Sequence, residues 1–185
     1  MKIVAVSGSP RANGNTAYLT DVALEEAGKL GIETRKIVVT QYKISPCLGH
    51  DECWDYASCP QKDDTEMLVR QLYDADGVIF ASPVYYYGVT AQLKAFMDRN
   101  VFYRRHKQRM KATCAGIIVV ARAGGIEDTA NNLARFISLN SNLKPEEVLQ
   151  VTGIAKDAGE IKANTAVVEQ ARKLGKDLAR KLSAK

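Results

Sequence analysis

The run Lys2-Ile3-Val4-Ala5-Val6 feeds directly into Ser7-Gly8-Ser9-Pro10-Arg11-Ala12-Asn13-Gly14-Asn15-Thr16, and a helical pattern follows. Hydroxyls, side-chain amides and glycines between a strand and a helix make an anion cradle. The N–H groups of the first helical turn have no partner within the helix, and the helix dipole concentrates partial positive charge there. Arg11 adds a planar donor fork suited to phosphate oxygens. The spacing is neither G-x-G-x-x-G nor a loop closed by Gly-Lys-Ser/Thr, so a mononucleotide fits better than a dinucleotide or a triphosphate. Two more segments carry chemistry. In Ser82-Pro83-Val84-Tyr85-Tyr86-Tyr87-Gly88-Val89-Thr90, Pro83 stiffens the exit from a strand and Gly88 permits an unusual backbone angle. Its three tyrosines offer flat amphipathic surface, either to a ligand ring system or to a subunit interface. In Ala121-Arg122-Ala123-Gly124-Gly125 the paired glycines allow close backbone approach to a ligand, or simply a strand-to-helix turn.

The elements that would hold these segments follow from periodicity. Apolar runs of strand length recur at Ile3–Val6, Thr34–Val39, Gly77–Ala81, Ala115–Val120 and Val148–Thr152. Segments of helical period lie between and after them: Thr16–Leu30, Thr65–Tyr73, Thr90–Asn100, Glu127–Asn140 and Asn164–Leu182. Strict alternation, with strands apolar throughout such as Gly116-Ile117-Ile118-Val119-Val120, predicts an α/β fold whose parallel sheet is covered by helices on both faces. Five strands with a phosphate loop after the first match the flavodoxin-like doubly wound sheet, where FMN lies at the carboxyl ends of the strands. The loops after strands one, three and four should therefore converge on one ligand. Gly31 reads as the stop of the first helix, and Asp63-Asp64-Thr65 as the cap of the second.

At 185 residues and 46% hydrophobic content, the chain has material for one well-buried domain, residues 1–185. No long apolar segment or signal-like start is present, so a cytoplasmic protein without membrane contact is expected. Four cysteines in a reducing compartment read as thiols or metal ligands rather than disulfides. The net charge of +5 comes partly from Arg104-Arg105-His106-Lys107-Gln108-Arg109-Met110-Lys111 and partly from the C-terminal helix. Neither stretch has the aromatic interleaving of a nucleic-acid site, and surface charge is the plainer reading. Cys114, at the start of a core strand, reads as a buried inert thiol; Asp98-Arg99 as a structural link at a helix end or between subunits. No Ser/His/Asp set or paired carboxylates suggest hydrolysis.

Gly8-Ser9-Pro10-Arg11 with Asn13-Gly14-Asn15-Thr16, then Ser82-Pro83-Val84-Tyr85, then Ala91-Gln92-Leu93-Lys94-Ala95-Phe96-Met97-Asp98-Arg99, occur in one order. On these motifs the first two-thirds of the chain resembles the NADPH-dependent FMN reductase family, specifically its iron–sulfur flavoprotein branch. The resemblance implies that Ser9, Arg11, Asn13, Asn15 and Thr16 hold the FMN phosphate. It implies that Pro83, Val84, Tyr85, Tyr86 and Gly88 line the isoalloxazine, and that Gly124 and Gly125 approach its other edge. It also implies a homodimer or homotetramer, with the flavin near a subunit interface.

Within that branch a compact four-cysteine motif holds a [4Fe–4S] cluster. This chain has Cys47, Cys53 and Cys59 in a loop excursion at about 43–62, with His50 where the second Cys of the motif belongs. Three readings stay open: a cluster with three Cys and one His ligand, a Cys₃His zinc site, or a loop of thiols without metal. Trp54 and Tyr56 in the same loop would cover the flavin or a neighbouring subunit, or anchor the loop.

The activity so implied is oxidoreduction on FMN, the chemistry being the cofactor's and the protein supplying binding and orientation. Electrons would come from NAD(P)H, or from a ferredoxin-like donor if the loop holds a cluster, and pass to a small acceptor: a quinone, a flavin, oxygen or peroxide. The rival readings are a flavodoxin-like electron carrier, disfavoured by the basic charge, and a non-redox metal-binding domain on the same fold.

Overall fold

The computed structural model describes residues 1–184. Five parallel strands, β1 (Lys2–Ser7), β2 (Glu33–Val38), β3 (Gly77–Pro83), β4 (Cys114–Ala121) and β5 (Leu149–Ile154), form one sheet in the order β2-β1-β3-β4-β5. This is the flavodoxin-like doubly wound sheet. Its order reverses between β1 and β3, so their carboxyl ends flank the crevice where such folds take ligands.

Side-chain alternation sends each strand's apolar residues to two cores. Val4, Val6, Val78, Phe80, Ile117 and Val119 pack on the side of α2 (Thr65–Tyr73), α3 (Ala91–Arg105) and α4 (Ile126–Asn140). Ile3, Ala5, Ile79, Ala81, Ile118 and Val120 pack on the side of α1 (Asn15–Lys29) and α5 (Thr165–Ser183). All eight residues of β4 are buried, as a strand covered on both faces requires. Cys114 is the first of them, and its thiol donates to the Leu178 carbonyl of α5 at 3.8 Å.

Helix α3 runs to Arg105, five residues beyond the expected Asn100. Its buried stripe continues through Phe102 and Tyr103, but Arg99 and Asn100 occupy core positions in the middle and disguise it. Both polar groups are satisfied there: Asn100 donates to the Phe96 carbonyl at 2.8 Å, and Arg99 pairs with Asp63. At the other end Thr90 caps the helix, its hydroxyl accepting the Leu93 N–H at 3.3 Å.

The excursion between β2 and α2 is tied at its neck and along its length. Asp64 does not cap α2; its carboxylate accepts the Lys43 N–H at 2.7 Å, and its own N–H donates to the Lys43 carbonyl at 3.0 Å. Asp63 takes over the helix start, accepting the Thr65 N–H at 3.0 Å. Two side chains of α3 and the residue that ends it then pin the loop: Arg99 donates to the Ser45 carbonyl, Arg105 to that of His50, both at 3.1 Å, and His106 Nε2 to that of Cys53 at 2.8 Å. Arg105 also lies over the Trp54 ring, 5.4 Å from its centroid. Arg105 and His106 of the basic run thus clamp this loop, while Arg109 donates to the Ser141 carbonyl and Lys111 pairs with Asp74. No helix among the described residues is long and apolar enough to cross a membrane.

Candidate functional site

A cavity of about 260 Å³ opens at the carboxyl edge of the sheet. Ser9, Arg11, Gly14, Asn15 and Thr16 form one wall, Pro83, Val84 and Tyr85 another, and Val120, Ala121 and Arg122 a third. The loops after β1, β3 and β4 do converge. A fourth wall comes from the loop after β5, through Ala155, Lys156 and Ala158. Sequence reasoning passed over these three residues. The signal was available, because in a parallel sheet every carboxyl-end loop opens on the same edge.

The β1–α1 loop is wound around its own polar groups. The Ser9 hydroxyl accepts the Arg11 N–H at 3.2 Å and lies 3.1 Å from the Arg11 carbonyl. Thr90 locks this loop to the next one, its hydroxyl donating to the Gly8 carbonyl at 2.7 Å while its N–H donates to Ser82 Oγ at 3.2 Å. Helix α1 begins at Gly14 with no side-chain cap, whereas α3 and α5 are capped by Thr90 and Asn164. Its first-turn donors therefore face the cavity unclaimed, and Ser9 and Thr16 lie buried beside them. A Cβ on Gly14 would fall 3.0 Å from Ser9 Oγ and 3.1 Å from the Arg11 carbonyl oxygen, so the cradle depends on its absence.

Charge around the cavity has one sign. Arg11, Arg122 and Lys156 line it and no carboxylate does. The two acids of the loop after β5, Asp157 and Glu160, do not line the cavity; Glu160 accepts the backbone N–H groups of Asp157 and Lys156, at 2.9 and 2.6 Å, and these bonds hold its pKa below the usual range. An uncapped helix start, a guanidinium and an acid-free wall fit a phosphate group. The residues present accordingly fit the phosphate end of FMN.

Of the expected phosphate ligands, Ser9, Arg11 and Thr16 stand at the cavity. Asn13 is exposed and off its walls. Asn15 is at the wall, but its amide bridges elements, donating to the Asp157 carbonyl at 2.8 Å and accepting the Ile161 N–H at 3.3 Å. It fixes the β5 loop against α1.

Of the expected ring contacts, Pro83, Val84 and Tyr85 line the cavity, while Tyr86, Gly88, Gly124 and Gly125 do not. Tyr85 and Gly88 exchange two backbone hydrogen bonds, 2.9 and 3.0 Å, closing a hairpin turn whose central residues Tyr86 and Tyr87 both have positive φ, 48° and 60°. Such a turn asks for Asn or Gly, and a side chain in this region costs roughly 1–2 kcal/mol per residue. Gly125, φ 83°, begins α4 directly behind it. A Cβ there would lie 2.8 Å from Tyr87 Cα and 2.9 Å from Val84 Cγ1. The glycine pair thus gives room to the tyrosine turn rather than facing the cavity.

The Cys/His loop presents its candidate ligands separately. Cys53 is buried in the core on the α3 side, Cys47 is exposed, and His50 meets the Tyr56 ring edge-on. Cys59 lies 3.4 Å from an Arg99 nitrogen. Among the described residues no three His, Cys, Asp or Glu side chains are grouped as a metal site. Folded this way, Cys47, His50, Cys53 and Cys59 do not fit a cluster or a zinc ion, and no electron path is drawn through them. Next to Cys59, the Asp63–Arg99 pair is almost completely buried, 2% of each side chain being exposed. Burial would raise the Asp63 carboxyl. The Arg99 guanidinium and the N–H groups of Ser45 and Thr65 overcome it and hold the pKa at about 2.

Comparison with known proteins agrees with this geometry. Residues 1–151 match the sequence profile of a family described as NADPH-dependent FMN reductase. An iron–sulfur flavoprotein from Methanocaldococcus jannaschii is 37% identical over 185 residues, covering 97% of this chain and 96% of that protein. One from Archaeoglobus fulgidus is 41% identical over 138 residues, 74% of this chain and 62% of that longer protein. Among solved structures, the NAD(P)H:quinone oxidoreductase of Methanothermobacter marburgensis superimposes with a TM-score of 0.75 at 14% identity, over 96% of this chain and 98% of that one.

Proposed function

Because this chain belongs to the NADPH-dependent FMN reductase family, we propose that its cavity holds FMN and that the protein passes electrons from NAD(P)H through it to a small acceptor. The observation that carries the reading is a single cavity with an anion cradle at one end and Pro83, Val84 and Tyr85 at the other. When bound, the flavin supplies the hydride and single-electron chemistry. The chain's residues bind and orient. Arg11 and the first-turn N–H groups of α1 take the phosphate, and the buried Ser9 hydroxyl holds Arg11's backbone in place. Pro83 and Val84 give the ring a rigid apolar seat at the end of β3. Arg122 and Lys156 keep the cavity positive, which favours the anionic form of a reduced ring and draws in an anionic dinucleotide.

A loop spacing that is neither the dinucleotide nor the triphosphate fingerprint belongs to this reading as well: the cradle carries one phosphate. Arg11→Ala tests it. The substitution removes a charge-assisted contact to phosphate alone, so FMN should bind about tenfold or more weakly while riboflavin affinity stays within about twofold. Equal losses for both ligands would place Arg11 elsewhere on the flavin and contradict the assignment.

A further inference from the structure

We propose that Asn13 is a modification site: in the cofactor-free chain it deamidates through attack by the Gly14 nitrogen, the product carboxylate spoils the anion cradle, and bound FMN prevents the reaction. The effect on FMN rests on the reading of the cavity as its site; the reaction itself does not. Of the expected phosphate ligands, Asn13 alone is absent from the cavity walls. Its side chain is exposed and has no hydrogen-bond partner among the described residues. Asn-Gly occurs once in the chain. Glycine has no Cβ to shield its own nitrogen, so that nitrogen can reach the side-chain carbonyl carbon of the residue before it and close a five-membered ring. Here the cradle imposes the glycine, because a Cβ on Gly14 would fall 3.0 Å from Ser9 Oγ and 3.1 Å from the Arg11 carbonyl oxygen. The requirement that shapes the anion site leaves Asn13 open to attack. Asn15 is the internal contrast. It precedes Thr16, and its amide is held at both ends, donating to the Asp157 carbonyl at 2.8 Å and accepting the Ile161 N–H at 3.3 Å.

The reaction balances with water alone. The Gly14 nitrogen gives up its proton and bonds to Asn13 Cγ, the Cγ–Nδ2 bond breaks, and ammonia leaves. Water then opens the cyclic imide at either carbonyl, giving aspartate or, with the main chain rerouted through Cγ, isoaspartate. One hydrogen bond gates the attack. The turn 11–14 is closed by the Gly14 N–H on the Arg11 carbonyl at 3.1 Å, and this bond must open before the nitrogen can meet the side chain. A phosphate held by Arg11 and the first-turn N–H groups of α1 keeps the turn shut. The product sets a negative charge immediately before Gly14, beside the uncapped donors of α1 and in a cavity whose charged lining is Arg11, Arg122 and Lys156. Carboxylate and phosphate then compete for one set of donors.

The apoprotein is incubated in mildly alkaline buffer, with and without FMN at about a hundredfold above its Kd, and tryptic peptide 12–29 is read by tandem mass spectrometry. Asn13 should gain one mass unit and Asn15 none, and FMN should slow the gain about tenfold or more, because it depletes the open turn. The modified protein, separated by its added negative charge, and Asn13→Asp should each bind FMN about tenfold more weakly. Riboflavin affinity should stay within about twofold, which shows that the fold survives. Asn13→Gln, whose cyclisation needs a larger ring, should stay unmodified and keep both affinities. An Asn13 that persists in the folded apoprotein while the urea-unfolded chain deamidates overturns the proposal. So does an equal rate with FMN bound, or an FMN affinity that the modification leaves unchanged. Flavin fluorescence establishes FMN binding beforehand; a chain that takes up none defeats the cofactor reading, and the mass change at Asn13 then tests the reaction alone.

Discussion

Asp63 and Arg99 form a buried pair that joins the neck of the Cys/His loop to the middle of α3. Removing one partner of such a pair leaves the other charge uncompensated, so Arg99→Met should lower the unfolding free energy by about 3–5 kcal/mol in urea titrations. The acid dependence has a definite sign. The folded-state pKa of Asp63, about 2, lies below the ordinary 3.8. Its ionised form therefore contributes stability that is complete above roughly pH 4 and is lost as pH falls through about 2. The contribution is on the order of 2 kcal/mol. Unfolding of the native chain and of Asp63→Asn, followed from pH 6 to pH 2, should show their stability difference shrinking by that amount; a constant difference would remove the assignment. Composition hides this pair. Asp63 reads as one of two capping acids and Arg99 as a helix-end charge, because nothing local marks a residue whose partner lies 36 positions away. Arg11, by contrast, is legible as a candidate anion ligand, since the loop that contains it also forms the cavity wall.

The sheet and its helices are legible to within a few residues wherever apolar runs are continuous. The expected strand Ala115–Val120 is found as Cys114–Ala121, and Thr65–Tyr73 has the bounds expected of it. The reading falls short where polar residues stand at core positions, which is why α3 extends five residues further than its periodicity suggests. Contact between α1 and α5 shows another kind of constraint. A Cβ on Gly175 would lie 2.0 Å from the Ala23 carbonyl oxygen, so the two backbones touch there. Beside this contact the buried Glu26 receives Lys29, Arg172 and Lys176 at 2.9, 2.9 and 3.5 Å. Gly175→Ala must push the helices apart and should cost about 3 kcal/mol, read as a lower urea midpoint with little change in slope. An alanine variant as stable as the parent would mean that α5 can shift freely on α1.

Across the whole molecule, four loops from one edge of a sheet make a cavity, and the position of that edge follows from strand order rather than from any single motif. The sequence could announce three of the loops because their residue types are unusual for connections. The fourth, after β5, contributes backbone and Lys156, which carry no such mark. The Cys/His loop sits on the α3 side, clamped by Arg99, Arg105 and His106, and its thiols and imidazole are dispersed. Spacing along the chain points to a ligand set there, while the clamp holds the loop through its backbone carbonyls. The cavity is the centre of the proposed function, and the phosphate end is its most specific part. Equilibrium titration of the apoprotein with FMN and with riboflavin tests it most directly. One FMN per chain, bound about a hundredfold more tightly than riboflavin, is the expected result, because only the phosphate engages Arg11 and the open turn of α1. Equal affinity for the two flavins, or no binding of either, would contradict it.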